Sequence, residues 1–449
     1  MKRLLLPLVL ACAPLAASAE PPPNLVFVMA DDLGWADVAF HEGAVPTPRL
    51  DRLRAEGVEL ARHYVAPVCS PTRAGLMTGR CWSRFGVTTP TNERALPPDT
   101  LTLPRALKAA GYETCLVGKW HLGSRPDQGP HHYGFDHGYG SLAGGVGPYN
   151  HFYKEGPHVV TWHRMGELVE EEGHVTDLIT DEALAWIEGK GKERPFFLYV
   201  PYTAVHLPVK EPRKWLDQVP PSIEGEVARH YAACVLHLDD SVGRLLDAID
   251  GAGLGSRTLF VFTSDNGGST AENNDTKYPA DDYPQGRLPG SNHPWRGQKG
   301  SLYEGGVRVP TLARWSGRLP AGTVCEEAVH VIDWMPTFCA LAGAEAPRDA
   351  NWDGRDIFAA IAGEAALPER VLYSAGPSFR SRAVWRGGWK LLELLGGEGR
   401  EAKYELYHLG EDPGEGDDRA AREPDLVAEL KAALDAISSA DRDAVAAKD

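Results

Sequence analysis

Asn24-Leu25-Val26-Phe27-Val28-Met29-Ala30-Asp31-Asp32 is the stretch whose reading decides the fold. An unbroken apolar run of strand length, without alternation, is the pattern of a strand buried on both faces of a sheet. It stops at two adjacent carboxylates. The pattern recurs three times. Glu113-Thr114-Cys115-Leu116-Val117 leads into Gly118-Lys119-Trp120-His121, Phe196 to Val200 leads into Thr203-Ala204-Val205-His206, and Thr258 to Phe262 leads into Ser264-Asp265-Asn266. Helical patterns fall between them, at Leu101 to Ala110, Asp177 to Ile187 and Val227 to Ile249. Strands alternating with helices predict an α/β fold, a large domain with a mostly parallel central sheet flanked by helices. Ligands of such sheets bind outside the carboxyl ends of the strands. Acids, amides, a lysine and histidines are therefore expected to converge on one site.

A fifth stretch, Cys69-Ser70-Pro71-Thr72-Arg73-Ala74-Gly75-Leu76-Met77-Thr78-Gly79, has no strand pattern. Pro71 lacks an N–H and holds φ near the helical value, so it suits the first turn of a helix running through Met77. Cys69 then stands at the helix N-terminus, where unpaired N–H groups and the dipole favour an anion, and Arg73 adds a charge one turn on. A lone cysteine is more often a small buried residue than a nucleophile. Its context here argues the other way.

Cys69 to Gly79 resembles, position for position, the first signature of the formylglycine-dependent sulfatases, of the alkaline-phosphatase-like superfamily. Gly111-Tyr112-Glu113-Thr114-Cys115-Leu116-Val117-Gly118-Lys119-Trp120-His121 resembles their second. The resemblance implies that a maturation enzyme oxidises Cys69 to formylglycine, whose hydrate attacks the sulfur of a sulfate ester. It implies that Asp31, Asp32, Asp265 and Asn266, with the modified Cys69, hold a divalent cation. Three carboxylates and an amide suit Ca²⁺ better than Mg²⁺, which keeps its waters. By the same resemblance Arg73 holds the hydrate, Lys119 contacts sulfate, His121 takes the proton of the second hydroxyl, and His206 with the substrate-binding Lys299 assists the leaving alcohol. The context of His206, Pro201-Tyr202-Thr203-Ala204-Val205-His206-Leu207-Pro208, also resembles the family's.

Composition agrees with a folded protein of 449 residues, 43% hydrophobic and 24% charged. Met1-Lys2-Arg3, an apolar run from Leu4 and Ala17-Ser18-Ala19 have the order of a secretory signal peptide, with cleavage expected after Ala19 and a periplasmic or secreted product. A lipoprotein site at Val9-Leu10-Ala11-Cys12 ranks second. No later stretch has the length of a transmembrane helix. The formal charge of −16, or −18 once Lys2 and Arg3 are removed, repels nucleic acid and anionic membranes, so an anionic substrate needs basic groups gathered locally. Of seven cysteines, five remain when Cys12 and Cys69 are set aside, too few and too scattered for a disulfide framework. No cysteine–histidine spacing points to zinc.

From about Leu367 short strand candidates replace the alternation: Val371 to Ser374, Ser381 to Trp385, Trp389 to Leu395 and Tyr404 to Leu409, with Arg386-Gly387-Gly388 as a tight turn. The expected division is a signal peptide at 1–19, a catalytic domain at 20–366, and a smaller C-terminal subdomain at 367–449 with an antiparallel sheet and a helix from Pro424 to Ile437. Two long connections, 125–163 and 267–300, are expected to wall the pocket. Their Tyr139, Tyr149, Tyr153 and Trp162 suggest a sulfated carbohydrate as substrate. Other readings stay open: a broad arylsulfatase, a phosphodiester or phosphonate monoester hydrolase with the same nucleophile, or a non-catalytic glycan-binding protein if Cys69 is unmodified.

Overall fold

A computed structural model describes residues 21–189, 194–273, 278–279, 282–344, 350–396 and 401–445. The expected signal peptide lies outside the described residues. Ten strands form one sheet, in the order Thr323–Cys325, Val58–Leu60, Leu312–Arg314, Thr258–Ser264, Asn24–Ala30, Phe196–Pro201, Glu113–Val117, His137–Ser141, Trp162–Arg164 and Glu167–Leu168. The central five, from Thr258–Ser264 to His137–Ser141, are all parallel.

Asn24–Ala30 lies in the middle, with Val26 opposite Leu198 on one side and Phe260 on the other. Side chains alternate across a strand, so this run feeds two cores. Leu25, Phe27 and Met29 enter one, built with the helices Cys69–Thr78, Leu103–Ala109 and Trp334–Ala342. Val26, Val28 and Ala30 enter the other, built with Pro48–Glu56, Val175–Glu188 and Glu226–Gly251. Burial on both faces explains the absence of polar alternation.

The antiparallel neighbours were not legible as strands: Leu312–Arg314 pairs with Val58–Leu60 over two residue pairs and Trp162–Arg164 with His137–Ser141 over three. Connection 125–163 is correspondingly less of a loop than its composition suggests. Tyr139 and Trp162 are sheet residues, packed edge to face at 5.2 Å, both hydrogen-bonded to Glu171 and buried. Neither ring is available to stack on a sugar.

The C-terminal strands Leu372–Ala375, Ser381–Arg386, Trp389–Leu394 and Lys403–His408 form an antiparallel sheet. Gly387 (φ 55°) and Gly388 (φ 84°) close its central hairpin, a two-residue turn that needs positive φ at both positions. The helix Pro424–Ser438 lays Leu430 and Leu434 into the core that also holds Leu25 and Phe27. No helix among the described residues is long and apolar enough to cross a membrane. The cysteines among the described residues are all buried and form no disulfides with one another.

Candidate active site

Four strand ends and one helix N-terminus meet at a single point. The strands are extended past their ends by backbone bonds that lock their tips together. Asp31 N–H donates to Ala204 O (2.9 Å), Val205 N–H to Asp31 O (2.7 Å), Lys119 N–H to Pro201 O (2.7 Å) and Asp265 N–H to Ala30 O (3.1 Å). Cys69 is the first residue of Cys69–Thr78, a helix buried along its whole length.

Each basic group meets a carboxylate. Arg73 donates from Nη2 to Asp265 Oδ2 and from Nη1 to Lys119 O, both at 2.7 Å. Lys119 Nζ stands 2.5 Å from Asp31 Oδ2, and Lys299 Nζ is 2.7 Å from the Asp32 carboxylate. Asn266 Nδ2 donates to Asp32 Oδ1 (2.8 Å), and Asp32 N–H to Asp265 Oδ1 (3.2 Å). Arg73, Lys119 and Lys299 thus balance Asp31, Asp32 and Asp265. A divalent cation entering together with a sulfate dianion preserves that balance.

Whether the acidic set fits a cation can be read from its unused atoms. Asp31 Oδ1 and Asn266 Oδ1 are buried acceptors without a hydrogen-bond partner. Buried acceptors are nearly always satisfied, so two orphans beside three carboxylates fit the donor set that a hard cation takes. Ligand atoms of Asp31, Asp32 and His206 also lie close enough together to share one ion. Burial and the charge of Asp265 push the Asp31 carboxyl well above its usual range, against the pull of Lys119. Asp32 differs. Burial opposes its ionisation too, but Lys299 and His206 override it and hold the carboxyl at about 2.

Cys69 feels Lys119, Lys299, Asp265 and Asp31 at once. Burial pushes its thiol up, the two lysines pull it down, and the carboxylates push it up again. An unmodified thiol here is a poor nucleophile.

His121 has φ 56° and Asp32 φ 61°, conformations that cost non-glycine residues on the order of 1 kcal/mol each and persist where surroundings over-determine them. Around His121 those surroundings are explicit. Its N–H donates to Leu142 O (3.1 Å), and its carbonyl accepts from Ser70 Oγ (2.9 Å). Gly144 lies against its ring so closely that a Cβ there would sit 2.4 Å from Cε1 and Nε2. Burial, then Lys119 and Arg73, hold the imidazole well below its ordinary range. His206 Nδ1 bonds the Leu207 carbonyl (2.5 Å), and its Nε2 is 3.8 Å from Asp32 Oδ2. Burial and Lys299 lower its pKa, with Asp32 pulling the other way. The residues expected to act on sulfate or to hold the cation, Asp31, Asp32, Cys69, Arg73, Lys119, His121, His206, Asp265, Asn266 and Lys299, are thus gathered here, whereas Tyr139 and Trp162 are not. Ser70 and Gly144, which hold His121, were not singled out, since a serine and a glycine carry no mark of what they will touch.

A second buried cluster joins His174, Glu211 and His237. His237 Nδ1 faces Glu211 Oε2 (2.8 Å) and its Nε2 faces Asp177 Oδ1 (3.1 Å), so both nitrogens carry protons to carboxylates. His174 Nδ1 accepts the Thr176 N–H (3.3 Å), which leaves its proton on Nε2. Filled with protons, this is an ion network that fastens three segments together.

Residues 23–344 match the family model described as Sulfatase. The chain belongs to the sulfatase family. Residues 292–440 of this sulfatase also match a model described as N-sulphoglucosamine sulphohydrolase, C-terminal. It is 33% identical to rat N-acetylgalactosamine-6-sulfatase, over 92% of this chain and 84% of the relative. It is 34% identical to mouse arylsulfatase J over 82% of its own length, and spans 61% of that longer protein. Among solved structures, one described as Ps i-CgsB in complex with k-i-k-neocarrahexaose superposes with a TM-score of 0.83 at 28% identity, covering 94% of both chains.

Proposed function

We propose that this sulfatase hydrolyses the sulfate ester of a sulfated carbohydrate, with Cys69, converted to formylglycine by a maturation enzyme, as the residue that attacks sulfur. One observation carries the reading: Arg73, Lys119 and Lys299 stand around Cys69 at a helix N-terminus, each matched to a buried carboxylate and flanked by His121 and His206. Formylglycine supplies a hydrated aldehyde, whose second hydroxyl allows sulfate to be released where a serine would remain esterified. Asp31, Asp32, Asp265, Asn266 and the modified side chain at 69 would hold Ca²⁺ in preference to Mg²⁺, to neutralise sulfate oxygens.

The chain's own groups do the rest. Arg73, fixed by Asp265 and the Lys119 carbonyl, orients the nucleophile. Lys119, drawn from Asp31, binds sulfate oxygens, and Lys299, drawn from Asp32, stands with His206 at the leaving oxygen. His121, kept neutral by burial and its cationic neighbours, accepts the proton of the second hydroxyl. At His206 the Leu207 carbonyl accepts a hydrogen bond from Nδ1–H, so Nε2 faces the departing alkoxide and serves it as acid in the protonated imidazolium, the state that Asp32 favours against burial and Lys299.

A glycan substrate is supported by the glycans named for the relatives, N-acetylgalactosamine 6-sulfate and a neocarrahexaose. The name of mouse arylsulfatase J favours a second reading, aryl sulfates, while a phosphodiester or phosphonate monoester hydrolase would have to turn over phosphate analogues better. We read residues 1–19 as a cleaved signal peptide, the protein as periplasmic or secreted, and 20–366 and 367–449 as its catalytic and C-terminal units. The test is kcat/KM on sulfated mono- and oligosaccharides beside 4-nitrophenyl sulfate, on protein whose residue 69 is identified by peptide mass spectrometry. Efficient aryl hydrolysis with no saccharide desulfated overturns the glycan reading, and full activity with a free thiol at 69 overturns the nucleophile.

A further inference from the structure

The segment carrying His206 runs between the strand Phe196–Pro201 and the short helix Arg213–Leu216 without regular structure of its own. No ladder holds it, so its position depends on individual ties. Before His206 the tie is the pair of hydrogen bonds that Asp31 makes with Ala204 and Val205. Beyond His206 the first tie is the side chain of Asn273; farther along, Lys210 O meets His174, and Glu211 meets His230 and His237. Asn273 is fully buried. Its Oδ1 accepts the Val209 N–H at 2.6 Å, and its Nδ2 donates to Val209 O at 3.1 Å and to Pro284 O at 3.0 Å. The carboxamide acts as a strand partner for Val209, three residues past the imidazole. Its own N–H donates to Gly286 O (2.8 Å).

Asn273 belongs to the connection that ends at Lys299, the other group we assign to the leaving oxygen. A second buried asparagine closes that connection on itself: Asn292 accepts the Gly268 N–H (2.7 Å) and donates to Gly268 O (3.1 Å), while Lys299 N–H donates to the same carbonyl (3.2 Å). Through Asn273 the connection holding Lys299 is stitched to the segment holding His206.

We propose that Asn273 is a positioning residue for His206: it fixes the imidazole relative to Lys299 without touching substrate. This rests on the reading of His206 as the donor to the leaving alkoxide. An alkyl sulfate needs that proton, and a sulfate of an acidic phenol does not. Displacing a catalytic group by about 1 Å costs on the order of 10²-fold in rate.

The experiment compares kcat on a sulfated monosaccharide and on 4-nitrophenyl sulfate for wild type, Asn273→Ala, Asn273→Asp and His206→Ala, with thermal midpoints for each. Asp keeps the acceptor for Val209 N–H but loses both Nδ2 donors, and stands in if the alanine variant fails to fold. We expect the saccharide-to-aryl ratio of kcat to fall about 10²-fold in Asn273→Ala, less in Asn273→Asp, and furthest in His206→Ala. An unchanged ratio in the folded Asn273 variants, beside a collapsed ratio in His206→Ala, overturns the positioning role alone. A ratio unchanged in His206→Ala overturns the leaving-group reading and the positioning role with it.

Discussion

Lys119 Nζ stands 2.5 Å from Asp31 Oδ2 with both side chains fully buried, while the other oxygen of Asp31 has no partner. Two buried charges repay their desolvation only when paired closely and otherwise hydrogen-bonded, and this pair meets the first condition and not the second. The incompleteness has a direction. Asp31 Oδ1 and Asn266 Oδ1 are both acceptors, and a hard cation is a group that would satisfy the two together.

Asp31→Asn keeps the shape of the side chain and an oxygen for Lys119 but removes the charge, so it should lose metal. Because the buried Lys119 ammonium loses its counterion, it should also lose some stability, and metal content is therefore compared on folded protein below its thermal midpoint. Wild-type protein should contain about one equivalent of Ca²⁺ by elemental analysis, and the variant much less, with kcat/KM down at least about 10²-fold. A variant as active as wild type, or wild-type protein fully active without metal, removes Asp31 from the ligand set.

Lys119 is expected to exchange its partner, Asp31, for a sulfate oxygen when substrate or product is bound. A hydrogen bond to a charged group contributes about 1.5–3 kcal/mol, so Lys119→Met should weaken competitive inhibition by inorganic sulfate roughly tenfold or more. An unchanged inhibition constant would leave Lys119 as a structural counterion to Asp31.

How far these positions were legible follows from what a sequence encodes. Asn24–Ala30 was readable because burial on both faces leaves its run from Leu25 to Ala30 without a polar residue, and the same holds for Cys115 to Val117 and Leu259 to Phe262 within their strands. The acids, lysine and histidines just beyond them could be placed together because parallel strands bring their carboxyl ends to one edge. Leu312–Arg314 and Trp162–Arg164 were invisible, since a strand of three residues has no period. Tyr139 and Trp162 misled for a related reason: aromatic residues among glycines look like a binding loop, but here they are paired across strands. Asn273 stayed hidden because its partner, Val209, is distant in the chain and contributes only backbone.

Acid should unfold this protein sooner than its carboxylates require. His63 and His330 lie on adjacent paired strands, and burial, reinforced at His63 by His330 and at His330 by Arg370, holds both at about 3. His63 Nε2 accepts the Trp334 indole N–H at 3.0 Å, so its lone pair is in use. The unfolded chain binds protons at these histidines near the ordinary value of 6.5, the folded chain only near 3. Stability therefore falls as pH drops through that window. Denaturant midpoints measured from pH 7 to 4 should decline, and His63→Gln should flatten the decline. A flat wild-type profile down to pH 5 would exclude the mechanism.

Lys390 offers the sharpest test of how the C-terminal sheet is attached. Its ammonium is completely buried, 3.0 Å from Glu304 Oε1 and 2.7 Å from Glu415 Oε1. Glu304 also accepts from Tyr64 OH (3.0 Å) and Trp385 Nε1 (3.2 Å), and its own N–H donates to Glu415 Oε2 (2.6 Å). One lysine of the small sheet thus holds the segment five residues beyond Lys299 and the acidic stretch around Glu415. Lys390→Met keeps most of the volume but leaves two carboxylates facing each other with only Arg308, 3.7 Å from Glu304 Oε2, as a nearby cation. Removing one partner of a buried ion set costs about 3–5 kcal/mol, far more than the net contribution of the set itself. The variant should show a loss of that size in chemical denaturation. Lys390→Met with Glu415→Gln should recover part of it, because the remaining carboxylate keeps its tyrosine and tryptophan donors and loses its like-charged neighbour. A loss below about 1 kcal/mol in the single variant, the scale of an exposed pair, would mean that water reaches the set and that the sheet is held by its apolar contacts alone.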